Sequence, residues 1–216
     1  MPYATNPIDG VRTFFEDSSG GGQPILVYPG FTDPLEYAQL SPLIQALQAD
    51  FRLIFADHRG QGRSDKPHEV ASYTLTTRVV DAVGVLDSVG IERAHYIGFS
   101  LGARLGFALG EHAPGRLMSL VLCGNQPHQW PDGPMLRAVV EAVAAGRARG
   151  MVALVETWDL IYAGGEDELH ENATRGAAEI PGAVFVSLPG HTHFSAERVA
   201  DELLPHVLEL FRSASR

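Results

Sequence analysis

The chain has 216 residues, of which 45% are hydrophobic and 19% charged, and it carries a formal net charge of −10. That length predicts one domain with a sizeable core of its own, and the composition excludes a largely disordered chain. The acidic balance, unrelieved by any run of Lys and Arg, argues against nucleic acid or an anionic membrane as a partner. Cys123 is the one cysteine, so no intramolecular disulfide is called for. The opening MPYATNPIDG has no basic stretch followed by an apolar run, and no apolar stretch reaches the ~18 residues of a membrane span. The expected location is therefore cytoplasmic.

Short apolar runs alternate with amphipathic segments along the chain. Residues 11–15 predict an antiparallel edge strand, joined by a flexible 18–22 linker to a buried strand at 25–28 (ILVY) that stops at Pro29-Gly30. Leu35, Leu40, Leu43, Ile44 and Leu47 recur at helical spacing and predict one helix over 35–49. A strand at 51–56 (FRLIFA) ends in the polar loop Asp57-His-Arg-Gly-Gln-Gly-Arg-Ser64, and a helix is expected over 73–89. Next come a strand at 95–98, a helix at 101–112 and a strand at 117–122. Residues 125–157 break the rhythm with Pro127, Pro131 and Pro134, then Ala-rich helical sequence; they predict a short excursion above the sheet. Strands at 159–163 and 183–188 follow, with a helix at 168–178 between them and a closing helix at 196–211. Such alternation predicts an α/β fold, a mostly parallel sheet with helices on both faces. The whole of 1–216 is expected to be one domain.

Gly98-Phe99-Ser100-Leu101-Gly102 matches G-x-S-x-G, between a predicted strand and a predicted helix. A sharp strand-to-helix turn strains the serine and exposes its hydroxyl, and the glycines two residues to either side avoid collisions. Ser100 is thus the candidate nucleophile; the alternative is a tight turn holding an inert serine. A hydroxyl needs a base, and Pro189-Gly-His-Thr-His-Phe194 follows the last predicted strand. His193 is the preferred base and His191 the alternative. An H-x-H metal pair is disfavoured because no further ligand signature accompanies it. The loop Gly164-Gly-Glu-Asp-Glu168 supplies the carboxylate that would fix the base's tautomer. Asp167 is preferred there over Glu166 and Glu168, and the order Ser, Asp, His suits this arrangement. For a developing oxyanion, the backbone N–H groups of Leu101 and Phe31 are the candidate donors. Arg59 and Arg63 are expected to brace their loop, while His58, His95, His112 and His206 have no evident catalytic partner in the sequence.

Taken together, these motifs resemble the α/β-hydrolase superfamily, in its serine esterase-like branch, over nearly the whole chain. In that family the base is the histidine of a Pro-Gly-x-x-His-Phe segment, which here selects His193. Many members carry His-Gly where this chain has Pro29-Gly30, and related esterases insert a larger helical cap where this chain has only 125–157. The resemblance implies a minimal cap and an open, weakly selective site, with uncovered apolar surface that favours a homo-oligomer. It implies a carboxylic-ester hydrolase acting on a small-molecule ester through an acyl-enzyme, with lactones or thioesters as further substrates and no cofactor or metal. Serine in place of aspartate at position 100 argues against the dehalogenase and epoxide-hydrolase branches. The competing readings are a perhydrolase or acyltransferase with the same triad, and a weakly catalytic or non-catalytic small-ligand-binding protein on the same scaffold.

Overall fold

The computed structural model describes residues 2–124, 178, 183–193, 195–196 and 199–214. The chain divides into two compact units, one of Met1–Asn125 with Phe194–Arg216 and one of Gln126–His193. The first unit is built on a six-stranded mixed sheet in the order β1-β2-β4-β3-β5-β6. Its strands are β1 (Tyr3–Thr5), β2 (Arg12–Asp17), β3 (Pro24–Tyr28), β4 (Arg52–Ala56), β5 (Ala94–Phe99) and β6 (Leu117–Cys123). β4, β3, β5 and β6 run parallel, and β1 and β2 join antiparallel on the β4 side.

β3, β4 and β5 are largely apolar because both of their faces are covered. Side chains alternate across a strand, and β3 sends Ile25 and Val27 to one side, Leu26 and Tyr28 to the other. The Leu26 side packs with Tyr96 against α3 (Leu75–Ser88) and α4 (Leu101–His112), through Val79, Ala82, Val85, Leu105 and Leu109. The Ile25 side packs with Ile97 and Phe99 against α1 (Leu35–Gln39), α2 (Pro42–Leu47) and α5 (Leu204–Ala214). Phe211 of α5 stacks on the buried His95 ring at 4.0 Å. That imidazole accepts from the Ser119 hydroxyl at 2.8 Å and donates to Gln23 Oε1 at 3.2 Å.

Four expectations need correction. The predicted 35–49 helix is two helices, α1 and α2, because Pro42 has no N–H to continue the first and instead opens the second. The 11–15 strand is not at the edge, since the three-residue β1 lies outside β2 and is too short to leave an apolar period. Residues 183–188 form no strand among the described residues, and Val184 is 77% exposed there. The closing helix starts at Leu204 and not at 196, because Pro205 fits only the first turn of a helix. The predicted 125–157 excursion, the 159–163 strand and most of the 168–178 helix lie outside the described residues. Among the described residues no helix is long and apolar enough to cross a membrane.

Candidate active site

Ser100 stands between the last residue of β5 and the first of α4, with φ 47° and ψ −105°. A non-glycine residue rarely adopts a positive φ, and it persists only where its surroundings over-determine it. Here the Ser100 N–H donates to the Cys123 carbonyl at the end of β6 (2.8 Å), and the Ser100 carbonyl accepts the first helical bond from Arg104 N–H (3.0 Å). From beneath, the buried Tyr96 hydroxyl donates to the Gly102 carbonyl at 2.7 Å.

The two flanking glycines are required by close approach. A Cβ on Gly98 would lie 2.4 Å from the Gly102 carbonyl carbon, and one on Gly102 would lie 2.3 Å from the Tyr28 carbonyl oxygen. The first turn of α4 is therefore pressed directly onto the end of β3. The loop leaving β3 consequently passes beside the serine: a Cβ built on Gly30 would come within 3.7 Å of the Ser100 Cβ. Phe31 follows at once. Leu101 is the first residue of α4, so its N–H is among the groups that have no acceptor within the helix. A small open hollow adjoins this point, lined by Pro29, Gly30, Tyr37, Ala38, Leu40, Ser41 and Phe99.

The loop after β4 supports this arrangement from the side. Asp57 Oδ1 accepts from Leu35 N–H (2.9 Å) and Oδ2 from Arg63 N–H (2.8 Å). Burial raises the Asp57 pKa against the opposing pull of those two bonds. Arg59, expected to brace the loop, does so: its fully buried guanidinium pairs with Asp81 and Asp9 and donates to the Ser72 carbonyl. Arg63 pairs with Glu16 and Glu36 and lies over the Phe14 ring. Sequence reasoning missed His58. Its buried ring donates from Nε2 to the Pro29 carbonyl (3.0 Å), and burial lowers its pKa to about 3.

Ser100, Leu101 and the Gly30-Phe31 loop share one unit. His193 belongs to the other unit, where it is buried, three residues beyond Gly190, which has φ 77°. His191 in the same segment is half-buried and donates its N–H to the Leu188 carbonyl (3.2 Å). Asp167, with Glu166 and Glu168, lies outside the described residues. Among the described residues no group of three His, Cys, Asp or Glu could hold a metal ion.

The sequence model of the alpha/beta hydrolase fold matches residues 23–158. The chain is 35% identical over 124 residues to the "Putative carbamate hydrolase RutD" of Caulobacter sp. (strain K31), covering 56% of this chain and 44% of that one. It is 31% identical over 123 residues to the 3-oxoadipate enol-lactonase 1 of Acinetobacter baylyi, covering 56% and 44%. The matched part thus spans less than half the length of these curated relatives. Among solved structures, the enol-lactonase from Burkholderia xenovorans LB400 superimposes with a TM-score of 0.74 at 21% identity, covering 98% of this chain and 100% of that one. At that identity the likeness establishes the fold alone.

Proposed function

The chain belongs to the alpha/beta hydrolase fold family, and on that premise we propose that it is a serine hydrolase that cleaves small carboxylic esters through an acyl-enzyme. The observation that carries this reading is the conformation of Ser100. It holds a left-handed φ at a helix N-terminus and is hemmed by two glycines that tolerate no side chain. Such strain is found where a side chain must be presented and not packed.

In this reading the Ser100 Oγ attacks the ester carbonyl carbon while His193 takes its proton. The carbonyl oxygen becomes an oxyanion, held by the N–H groups of Phe31 and Leu101. When the tetrahedral intermediate collapses, the carbon–oxygen bond to the alcohol breaks and His193 returns the proton to the leaving oxygen. Water then attacks the acyl-enzyme, His193 again takes the proton, and the acid departs as Ser100 is regenerated. Asp167 holds the His193 tautomer and stabilises the imidazolium. Lactones fit the same machinery, and one of the relatives above is an enol-lactonase.

The test is hydrolysis of short p-nitrophenyl esters by the wild type, Ser100→Ala, His193→Ala and His191→Ala. Loss of nucleophile or base should cost on the order of a millionfold in turnover, and His191→Ala should stay active. Activity indifferent to Ser100, or none in the folded wild type, would move a ligand-binding role on this scaffold to first place.

A further inference from the structure

We infer that His58 and Gln61 are positioning residues that aim the Phe31 N–H at the oxyanion. The inference rests on the serine hydrolase reading above. The loop after β4 holds the backbone of the loop after β3 on both sides of Phe31. His58 Nε2–H donates to the Pro29 carbonyl at 3.0 Å, and Gln61 Oε1 accepts from the Thr32 N–H at 3.1 Å. The first bond fixes the Pro29–Gly30 peptide plane and the second the Phe31–Thr32 plane. The Phe31 N–H lies in the plane between them. With both neighbours held, that middle plane cannot swing freely, even though Gly30 offers little steric resistance of its own.

The loop also needs holding. Thr32 has φ 70°, a conformation that a β-branched residue takes only when its surroundings compel it. The Gln61 bond falls on the N–H of that same residue. If released, the natural relaxation of Thr32 would rotate the peptide plane next to the donor.

The chemistry of His58 suits a fixed strut. A carbonyl only accepts, so Nε2 must carry the proton and the neutral ring keeps Nδ1 as a lone pair. The ring is 1% exposed, lies 4.8 Å from the Tyr28 ring, and is too strongly desolvated to protonate near neutrality. A misplacement of about 1 Å in such a donor is costly in turnover, as is loss of the donor itself.

The experiment compares His58→Leu with His58→Gln, whose amide can still donate where Nε2 did, and Gln61→Met with Gln61→Glu, which keeps the acceptor. Rates on p-nitrophenyl acetate are taken per active site, counted with a fluorophosphonate. Inhibition by phenylboronic acid, whose tetrahedral adduct presents an oxygen where the oxyanion forms, is measured alongside. His58→Leu and Gln61→Met should each lose on the order of 10- to 100-fold in kcat. The boronate Ki should weaken by a matching factor while KM moves little, and the Gln and Glu variants should recover most of the loss. A boronate Ki and per-site kcat unmoved by His58→Leu would overturn the inference and leave His58 a packing residue. Independently of any activity, nitrogen NMR of the imidazoles should find His58 in the Nε2–H form from pH 5 to 8. An Nδ1–H or titrating ring would overturn the inference while leaving the hydrolase reading intact. A wild type with that tautomer but no Ser100-dependent turnover would overturn the hydrolase reading and the oxyanion role with it.

Discussion

Replacing Ser100 by glycine should make the protein more stable than replacing it by alanine. Both changes delete the hydroxyl, so whatever that group contributes cancels in the comparison. The difference lies in the backbone, where φ 47° and ψ −105° are costly for any residue with a Cβ and nearly free for glycine. Holding such a conformation costs about 1–3 kcal/mol. Against this, glycine gives the unfolded chain about 0.4–1 kcal/mol of extra entropy. Ser100 is also the residue that caps α4, a position at which glycine is preferred to alanine. The net advantage of Ser100→Gly over Ser100→Ala is therefore about 0.5–2 kcal/mol. For a chain of this length that corresponds to about 1 to 5 °C in Tm. Urea unfolding and a thermal scan of the two variants provide the assay. If Ser100→Gly proves equal to or less stable than Ser100→Ala, the turn is not strained and the argument for a presented nucleophile falls.

Gly102→Ala should abolish Ser100-dependent turnover by at least about a hundredfold, because the new methyl meets the Tyr28 carbonyl at 2.3 Å, where only the backbone can give way. Gly84→Ala in α3, where the nearest atom lies 3.9 Å away, should instead raise stability by about 0.5–1 kcal/mol in urea titration, and a loss would refute the packing drawn there. Asp81→Ala should cost about 3–5 kcal/mol by leaving the fully buried Arg59 with Asp9 as its remaining carboxylate. The double change Arg59→Met with Asp81→Leu should recover much of that, and a single-mutant cost under about 1 kcal/mol would contradict the burial. Burial lowers His95 to about 4 and His58 to about 3, so below about pH 6.5 the unfolded chain binds protons that the native one refuses. The stability contributed by these neutral rings is complete above the unfolded pKa and is lost as pH falls toward the folded values. Urea unfolding should accordingly find the protein less stable at pH 5.0 than at 7.5 by roughly 2–4 kcal/mol, and equal stability would mean the rings are solvated.

The parts of this molecule that could be read from the sequence are those written in neighbouring residues. G-x-S-x-G announced the turn at Ser100 because the steric demand falls on Gly98 and Gly102, two positions away. The ILVY and FRLIFA runs announced β3 and β4 because burial on both faces leaves no polar alternation. The break at Pro42 was legible too, but the helical spacing of Leu40, Leu43, Ile44 and Leu47 outweighed it. β1 was hidden by its length, since three residues carry no period. His58 and Gln61 were hidden for a different reason. Their partners, Pro29 and Thr32, lie 29 residues back in the chain, and only the pairing of β3 with β4 brings the two loops to one edge. Arginines suggested bracing because charge is visible in a sequence. A neutral histidine donating to a backbone carbonyl leaves no such mark.

The first unit is interrupted: its chain departs at Asn125 and returns at Phe194 to supply α5, whose Val207 and Phe211 cover part of one sheet face. During synthesis, β1 to β6 and α1 to α4 all emerge before α5 does. At ordinary elongation rates the intervening stretch takes on the order of ten seconds to make. Throughout that interval the patch of that face around His95, over which Phe211 comes to stack, waits uncovered at the ribosome, far longer than collapse of a small sheet requires. By then α1 and α2 are already made and can pack elsewhere on the same face. The nascent chain thus passes through a period in which the apolar patch that Val207 and Phe211 later cover is open to chaperones.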